Sequence, residues 1–237
     1  MGRAFEFRKA RKMKRWGAMS KTFTKIGREI SKAVKEGGPS PDTNSRLRVI
    51  IQNAKAANMP KENVERAIKK ASDKNTENWE ERVYEGYALH GIAICVETLT
   101  DNPTRTVANV RAAFNKCDGQ LGTTGSLDFV FERKCMFKID AEGINLEEFE
   151  FEMIDHGAEE IDKDDEENEI ILYGQFADFG NIQSALEERE IEIKEANLER
   201  VPNETKTLTE EEEADVMKLI ERLEDEDDVQ QVFHTMA

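Results

Sequence analysis

The residues of this sequence with the clearest chemical capacity are the cations near its start, where residues 8–17 read Arg-Lys-Ala-Arg-Lys-Met-Lys-Arg-Trp-Gly. Lys and Arg side chains neutralise the phosphates of a polyanion, and an aromatic ring among them stacks on an unpaired base. We therefore expect this stretch, and the cations that follow it, to bind nucleic acid. The expected ligands are Arg8, Lys9, Arg11, Lys12, Lys14, Arg15, Trp16, Lys21, Lys25 and Arg28. Trp16 is equally compatible with packing onto neighbouring helices.

The distribution of charge along the chain supports this interpretation. Residues 1–79 contain 20 Lys and Arg against 8 Asp and Glu, a net charge of +12, whereas residues 80–237 contain 14 against 42, a net charge of -28. The alternative is an ordinary solvated helix face, but the basic excess continues over about seventy residues. The sequence thus predicts a cationic segment that faces a polyanion and an anionic remainder that is repelled by it.

The elements that position the cations are predicted to be helices. Apolar residues recur at helical spacing within 20–36, and similar stripes follow Pro41 and Pro60. Three helices joined by short turns predict a bundle, with residues 3–19 as a fourth helix or a mobile arm. The third helix carries side chains that read bases in helix-turn-helix proteins, Asn63, Arg66 and Lys70, although Glu62 and Glu65 lie among them.

The rest of the chain changes to a strand-rich pattern after a polar linker at 73–78. We expect a hairpin around His90, a helix that starts at Asn102, and a strand through Leu127, Phe129 and Phe131. Residues 136–198 then follow a β-α-β-β-α-β order, typical of a ferredoxin-like domain. A last helix and strand end the chain, and a lone strand is unstable, so we expect it to rejoin the sheet of residues 82–132.

These patterns predict an α+β protein of three domains, a helical bundle followed by two ferredoxin-like-type α/β domains. The predicted limits are 1–78 for the basic helical domain, 79–134 plus 200–237 for the middle domain, and 135–199 for a third domain inserted into the middle one.

Two further features are candidates for anion binding. Arg105 lies in the first turn of the helix that Asn102 caps, where unpaired backbone N–H groups favour an anion. The loop Gly119–Gly125 is rich in Gly and Thr, but it lacks the Lys-Ser/Thr end of a P-loop, which favours a tight turn. The acidic run Asp225-Glu-Asp-Asp228 is predicted to be a solvated turn.

No pattern in the sequence predicts an enzyme, a metal site or a cofactor. Cys95, Cys117 and Cys135 are an odd number without C-x-x-C spacing, which fits neither a disulfide framework nor a zinc site. No apolar run is long enough for a membrane span or a secretory signal, so we expect a cytoplasmic protein without a membrane or small-molecule partner. The Arg-rich start is also compatible with an organelle transit peptide.

Several motifs in the same order resemble the YebC/PmpR family of bacterial proteins, whose mitochondrial relative is the translational activator of cytochrome c oxidase. The motifs are Phe23-Thr-Lys-Ile-Gly-Arg-Glu-Ile30, Asn58-Met-Pro-Lys61, Tyr84-Glu-Gly-Tyr87, Asp101-Asn-Pro-Thr-Arg-Thr106, Val110-Arg-Ala-Ala-Phe114, the loop 119–126 and the closing segment 223–234. The family's usual start, Gly-His-Ser-Lys-Trp, is replaced here by Gly2-Arg-Ala-Phe-Glu-Phe-Arg8, while residues 9–15 keep the positive charge.

The resemblance implies three domains with the third inserted into the second, and a role in gene expression that involves nucleic acid. We expect a DNA-binding transcriptional regulator. The alternative is a ribosome-associated translation factor that binds ribosomal RNA and aids the synthesis of difficult sequences such as proline runs. A protein-interaction adaptor without nucleic-acid contact is a third hypothesis. The partner is accordingly expected to be DNA or ribosomal RNA, with the ribosome included under the second hypothesis.

Overall fold

The computed structural model describes residues 3–73, 78–164 and 168–237, with side chains from residue 20 onward. Its first part is helical. The helices are α1 (Arg3–Gly37), α2 (Ser45–Ala56) and α3 (Lys61–Ala71). Residues 3–19 are therefore the first half of α1, and they form no separate fourth helix.

The three helices pack through the apolar stripes that the sequence predicts. Ile26, Ile30, Leu47 and Ile50 are buried together in one core. Burial of an aliphatic side chain stabilises a fold by roughly 1.5–3 kcal/mol, so these contacts fix the helices against one another. Asn44 adds a polar tie, because its side chain accepts a hydrogen bond from the Leu47 amide and donates to the carbonyls of Ala33 and Gly38, both at 2.8 Å.

The first antiparallel sheet combines strands from the middle and the end of the chain. Its elements are β1 (Glu80–Tyr87), β2 (Ala93–Thr100), α4 (Pro103–Lys116), β3 (Gln120–Leu121), α7 (Glu210–Glu224) and β8 (Val229–His234). The strand order is β3-β1-β2-β8, and β8 pairs with β2 from Ile94 opposite His234 to Thr98 opposite Val229. The expected return of the final strand to this sheet is confirmed. Phe114 and Leu219 bring α4 and α7 into one core with the sheet.

The second antiparallel sheet is formed by the intervening residues. Its elements are β4 (Phe131–Asp140), α5 (Leu146–Asp155), β5 (Ala158–Asp164), β6 (Glu169–Gln175), α6 (Phe179–Glu188) and β7 (Ile193–Pro202). The strand order is β5-β6-β4-β7, and Phe137, Leu172, Phe149 and Ile182 are fully or almost fully buried between the sheet and the helices α5 and α6. The molecule is therefore an α+β protein with two antiparallel sheets.

Helix α2 covers the edge of this second sheet. The Asn53 side chain donates to the Ala196 carbonyl at 2.8 Å and accepts from the Ala196 amide at 3.0 Å, so it satisfies both backbone groups of that residue as a neighbouring strand would. An uncovered strand edge is a site for aggregation. The contact also joins the helical part to the second sheet.

The predicted strand through Leu127, Phe129 and Phe131 is wrong. Residues 124–130 form successive turns, and the strand begins only at Phe131. The buried Glu85 carboxylate explains the turns, because it accepts hydrogen bonds from the Ser126 hydroxyl at 3.2 Å and the Leu127 amide at 2.8 Å. Among the helices that the structure describes, none has the length and hydrophobicity to span a bilayer.

Candidate nucleic-acid interface

One side of α1 contacts the acidic turn, which we define as residues 224–228, between α7 and β8. The Lys21 ammonium lies 2.6 Å from an Asp225 carboxylate oxygen, and Lys25 donates to the Glu224 carbonyl at 3.3 Å. Arg28, one helical turn farther on, donates to the Asp227 carbonyl and lies 3.0 Å from the Asp228 carboxylate. Three cations expected to bind phosphate therefore contact an acidic segment of the same chain.

Asp228 is the centre of this contact. Its side chain is only 7% exposed, and it accepts hydrogen bonds from four side chains. The donors are Arg28 at 3.0 Å, Arg105 at 2.9 Å, Thr106 at 2.8 Å and Thr100 at 3.3 Å. Burial alone would raise the pKa of Asp228, but the bonds from Arg105 and Thr106 and the two guanidinium charges hold that pKa below its usual range.

The prediction that the acidic run is a solvated turn is wrong for Asp228. Asp225 and Asp227 are exposed as expected, yet Asp228 directly precedes the buried strand β8 and turns inward. A carboxylate removed from water requires compensating donors, which the two arginines and two threonines supply. A charged residue directly before an apolar strand was the signal in the sequence that could have indicated this inward position.

The anion site expected at the start of α4 is filled by the protein itself. The Asn102 side chain caps the helix by accepting from the Arg105 amide at 3.1 Å. The Arg105 guanidinium lies 2.9 Å from Asp228 and 2.7 Å from Asp101. The anion at this helix start is therefore the Asp228 carboxylate, which joins α4 to the acidic turn.

Trp79 contributes an aromatic contact that the sequence did not indicate. The Arg28 guanidinium lies over the Trp79 ring, 4.9 Å from its centroid, an arrangement that stabilises a cation by roughly 0.5–2 kcal/mol. Burial lowers the pKa of the neighbouring Lys25, and the charges of Lys21 and Arg28 lower it further, while Glu224 opposes them. Lys25 is thus partly desolvated where it contacts the acidic turn.

A cavity of about 730 Å³ lies beside this contact, between the helical part and the start of α4. Arg28, Lys70 and Arg105 line it together with five acidic residues. The acidic residues are Asp101, Asp225, Glu226, Asp227 and Asp228. Because acids outnumber cations here, the cavity repels phosphate.

A second depression, the α1–α3 groove, has the opposite character. Its volume is about 520 Å³, and we define it by Ser20, Phe23, Gly27, Asn63, Arg66 and Lys70. No acidic residue lines it within the part of the chain that the structure describes. Lys70 and Gly27 also line the acidic cavity, so the two depressions are adjacent. The three side chains of α3 that suit base reading, Asn63, Arg66 and Lys70, all lie in this groove.

The end of α1 and the start of α2 contact the first sheet through charges. Arg46 lies 2.6 Å from Glu81 and 3.0 Å from Glu36. Nearby, Glu29 is half-buried, and burial raises its pKa to about 7, with Arg46 opposing and Glu81 adding to the rise. Glu29 thus titrates near neutral pH, unlike an ordinary carboxylic acid.

The predicted phosphate ligands fall into two groups. Arg8, Lys9, Arg11, Lys12, Lys14, Arg15 and Trp16 lie on the first half of α1, and their side chains are outside the described residues. Lys21, Lys25, Arg28 and Arg105 lie together around the acidic turn. Nucleic-acid binding by either group stays a prediction.

The groups that could do other chemistry are dispersed. Within residues 20–73, 78–164 and 168–237, whose side chains are described, no three His, Cys, Asp or Glu side chains are arranged to hold a metal ion. Burial raises the pKa of the Cys95 thiol to about 12 and that of Cys135 to about 11, so both thiols stay protonated and unreactive at neutral pH.

Two family models match the chain, "TACO1/YebC protein N-terminal domain" over residues 3–74 and "TACO1/YebC second and third domain" over residues 79–236. Among its relatives, a "Probable transcriptional regulatory protein" of Flavobacterium johnsoniae is 61% identical, over 100% of this chain and 99% of the relative. A Porphyromonas gingivalis protein of the same name is 58% identical, over 100% and 97%.

A solved structure shares the fold. It is a conserved hypothetical protein of Aquifex aeolicus that is 39% identical to this chain, with a TM-score of 0.77 and coverage of 92% of this chain and 90% of that one. The similarity therefore extends over the helical part and both sheets. The chain belongs to the TACO1/YebC family.

Proposed function

We propose that this protein is a DNA-binding regulator of transcription that holds nucleic acid through its helical part. Relatives 61% and 58% identical to this chain are named probable transcriptional regulatory proteins, and this chain aligns with them over its full length. The names of these relatives refer to transcription, and they give no support to the ribosomal alternative.

The observation that carries the proposal is the segregation of charge between structural units. Residues 1–79, net +12, contain the three-helix unit, while residues 80–237, net -28, contain both sheets. A duplex that approaches the molecule is attracted to the helical unit and repelled by the sheets. The charge distribution thus sets the orientation of binding as well as its strength.

The affinity would come mainly from phosphate neutralisation. The first half of α1 carries Arg8 to Arg15 on a helix that continues from the bundle, so it can lie along a duplex or a single strand. Each neutralised phosphate releases condensed counterions, which makes binding depend steeply on salt. Sequence readout requires base contacts, for which the side chains of the α1–α3 groove are the suitable types.

Fluorescence anisotropy of the full chain with labelled duplex DNA tests the proposal. With about six phosphates neutralised, the slope of log Kobs against log salt is about -5, so the affinity falls about a thousandfold between about 50 and 200 mM salt. Replacement of Lys12, Lys14 and Arg15 by Glu should abolish binding. Replacement of the exposed Lys163, in the acidic sheet, should leave it unchanged.

The proposal fails if the chain does not bind duplex DNA in dilute buffer, or if the triple variant binds as well as the parent. Regulation needs sequence preference as well. Recovery of promoter fragments after crosslinking in cells supports a transcriptional role, whereas recovery of ribosomal RNA alone contradicts it.

We also propose that the chain comprises three domains, with the third inserted into the second. The β-α-β-β-α-β order and the strand order β5-β6-β4-β7 of the second sheet support a ferredoxin-like third domain. We further propose a binding function without catalysis. The high pKa values of the Cys95 and Cys135 thiols support this, because they keep these two buried nucleophiles protonated at neutral pH.

A further inference from the structure

The α1–α3 groove contains a cation that has no partner among the residues that the structure describes. Arg66 is exposed and makes no ion pair or hydrogen bond with the residues that the structure describes, unlike Lys21, Lys25 and Arg28. Glu62 and Glu65, the acids of the same helix, do not line the groove, and Glu65 lies 3.8 Å from Lys61. In a chain of net charge -16, an acid-free groove with an unpaired arginine favours an anionic ligand.

Gly27 is a second and independent sign. Glycine is, after proline, the least favourable residue in a helix interior, yet Gly27 lies in the middle of α1. A Cβ atom added there would meet no atom within 4 Å, so packing inside the protein does not require a glycine. The missing side chain leaves the floor of the groove open between α1 and α3.

The other side chains of the groove suit a nucleotide. Asn63 has no side-chain hydrogen-bond partner among the residues described, and its amide offers both a donor and an acceptor to a base edge. Phe23 is half-buried against the helical core and forms one wall. The volume of about 520 Å³ lies within the range of ligand pockets, about 300–1,000 Å³.

We propose that the α1–α3 groove holds one strand of nucleic acid, with phosphates at Arg66 and Lys70 and a base edge at Asn63. This inference rests on the proposed function and adds the location of the bound strand. It places the strand beside the acidic cavity, whose lining has five acidic residues and three basic ones, so we expect the strand to turn away from the surface on that side.

The matched pair of variants Arg66→Ala and Lys69→Ala tests the location. Both remove one exposed cation from α3, but only Arg66 lines the groove. We expect Arg66→Ala to weaken binding about tenfold and to reduce the salt slope by about 0.7–0.9, the contribution of one phosphate. Lys69→Ala should change the affinity less than about twofold.

Gly27→Gln separates a binding role of the groove from a structural one, because it should lower the affinity without lowering the thermal stability. Gln is a better helix former, so the melting temperature should stay the same or increase, while the side chain fills the groove and affinity falls about tenfold or more. The labelled probes are single-stranded DNA, RNA of the same sequence and duplex DNA, each of about 20 units. The probe whose affinity falls most in Gly27→Gln identifies the type of strand that the groove binds.

The outcomes separate the two proposals. If the parent chain binds none of the probes in dilute buffer, both the proposed function and this inference are wrong. If the parent binds, but Arg66→Ala and Lys69→Ala lose equal affinity and Gly27→Gln loses none, the groove is not the binding site and only the inference is overturned.

Discussion

Helix α1 has one side that faces the acidic turn and another that faces α3, and the two sides differ in the charges around them. Towards the acidic turn, Lys21, Lys25 and Arg28 contact carboxylates or carbonyls of residues 224–228. Towards α3, the α1–α3 groove has no acidic lining residue among those described, and Arg66 lies there without a partner. One direction joins the helical part to the body, and the other is open to a ligand.

The difference shows that the type of a residue does not establish its role. Lys21, Lys25 and Arg28 have the same capacity for phosphate as Arg66, and they follow the basic run more closely in the sequence. Their distances to the acidic turn place them in the contact between the helical part and the first sheet, and phosphate binding by them stays a prediction. Variants on the acidic-turn side and on the groove side of α1 test this difference.

The largest effect is expected for Asp228→Ala. Removal of this buried carboxylate takes away an acceptor shared by Arg28, Arg105 and two hydroxyl groups, which should cost about 3 kcal/mol of unfolding free energy. Urea denaturation measures this loss. Trp79 fluorescence in a Trp16→Phe background reports the unfolding, because the Trp79 ring contacts Arg28.

Asp227→Ala is the matched control for Asp228→Ala. Asp227 is exposed and contacts Arg28 through its backbone carbonyl, so loss of its carboxylate should change the unfolding free energy by about 0.5 kcal/mol or less. Equal losses for the two variants would show that Asp228 is not the centre of the contact.

A smaller and pH-dependent effect is expected for Glu29→Gln. The pKa of Glu29 is about 7 in the folded protein and near its ordinary value when unfolded, so protonated Glu29 favours the folded state. Its contribution is complete below the ordinary pKa and is lost as the pH rises through about 7. Between about pH 5 and pH 8, the unfolding free energy of the parent should therefore fall by on the order of 2 kcal/mol more than that of Glu29→Gln.

Unfolding free energies of the parent and Glu29→Gln at the two pH values measure this difference. Glu36→Gln serves as a comparison, because Lys32 and Arg46 outweigh its burial and lower its pKa. The ionised Glu36 carboxylate stabilises the folded state, so Glu36→Gln should have a lower unfolding free energy than the parent at the higher pH. Parallel pH profiles for the parent and Glu29→Gln would contradict the burial of that carboxyl.

The smallest effect is expected for Lys21→Ala. The Lys21 and Asp225 side chains are 45% and 75% exposed, and an ion pair this exposed contributes about 0–1 kcal/mol. Because Lys21 already has a carboxylate partner, DNA affinity in the anisotropy assay should change less than about twofold. A loss as large as that of Arg66→Ala would remove the distinction between the two sides of α1.

Local periodicity predicted much of this fold. Helical stripes correctly placed Ile30 and Leu47 on buried helix faces, and an unpaired last strand correctly implied a return to the first sheet. The alternation at Leu127 and Phe131 was misleading because both side chains are buried in one small core while the backbone between them turns around Glu85. The pattern reported burial and not strand pairing.

The acidic turn shows why the candidate site was less predictable. A run of acids is usually solvated, and nothing near Asp228 in the sequence provides its arginines. Arg28 is 200 residues away and Arg105 is 123 residues away. The pairing arises only after the first sheet and α1 meet, so the contacts that Lys21, Lys25 and Arg28 make with the acidic turn could not be predicted from local spacing.

Hydrogen–deuterium exchange of the full chain, with and without duplex DNA at low salt, tests most directly whether nucleic acid binds to the groove side of the helical part. We expect slower exchange in residues 20–31 of α1 and 61–71 of α3, with the acidic turn and both sheets unchanged. Protection that appears in the sheets while the two helices exchange as in the free protein would contradict it.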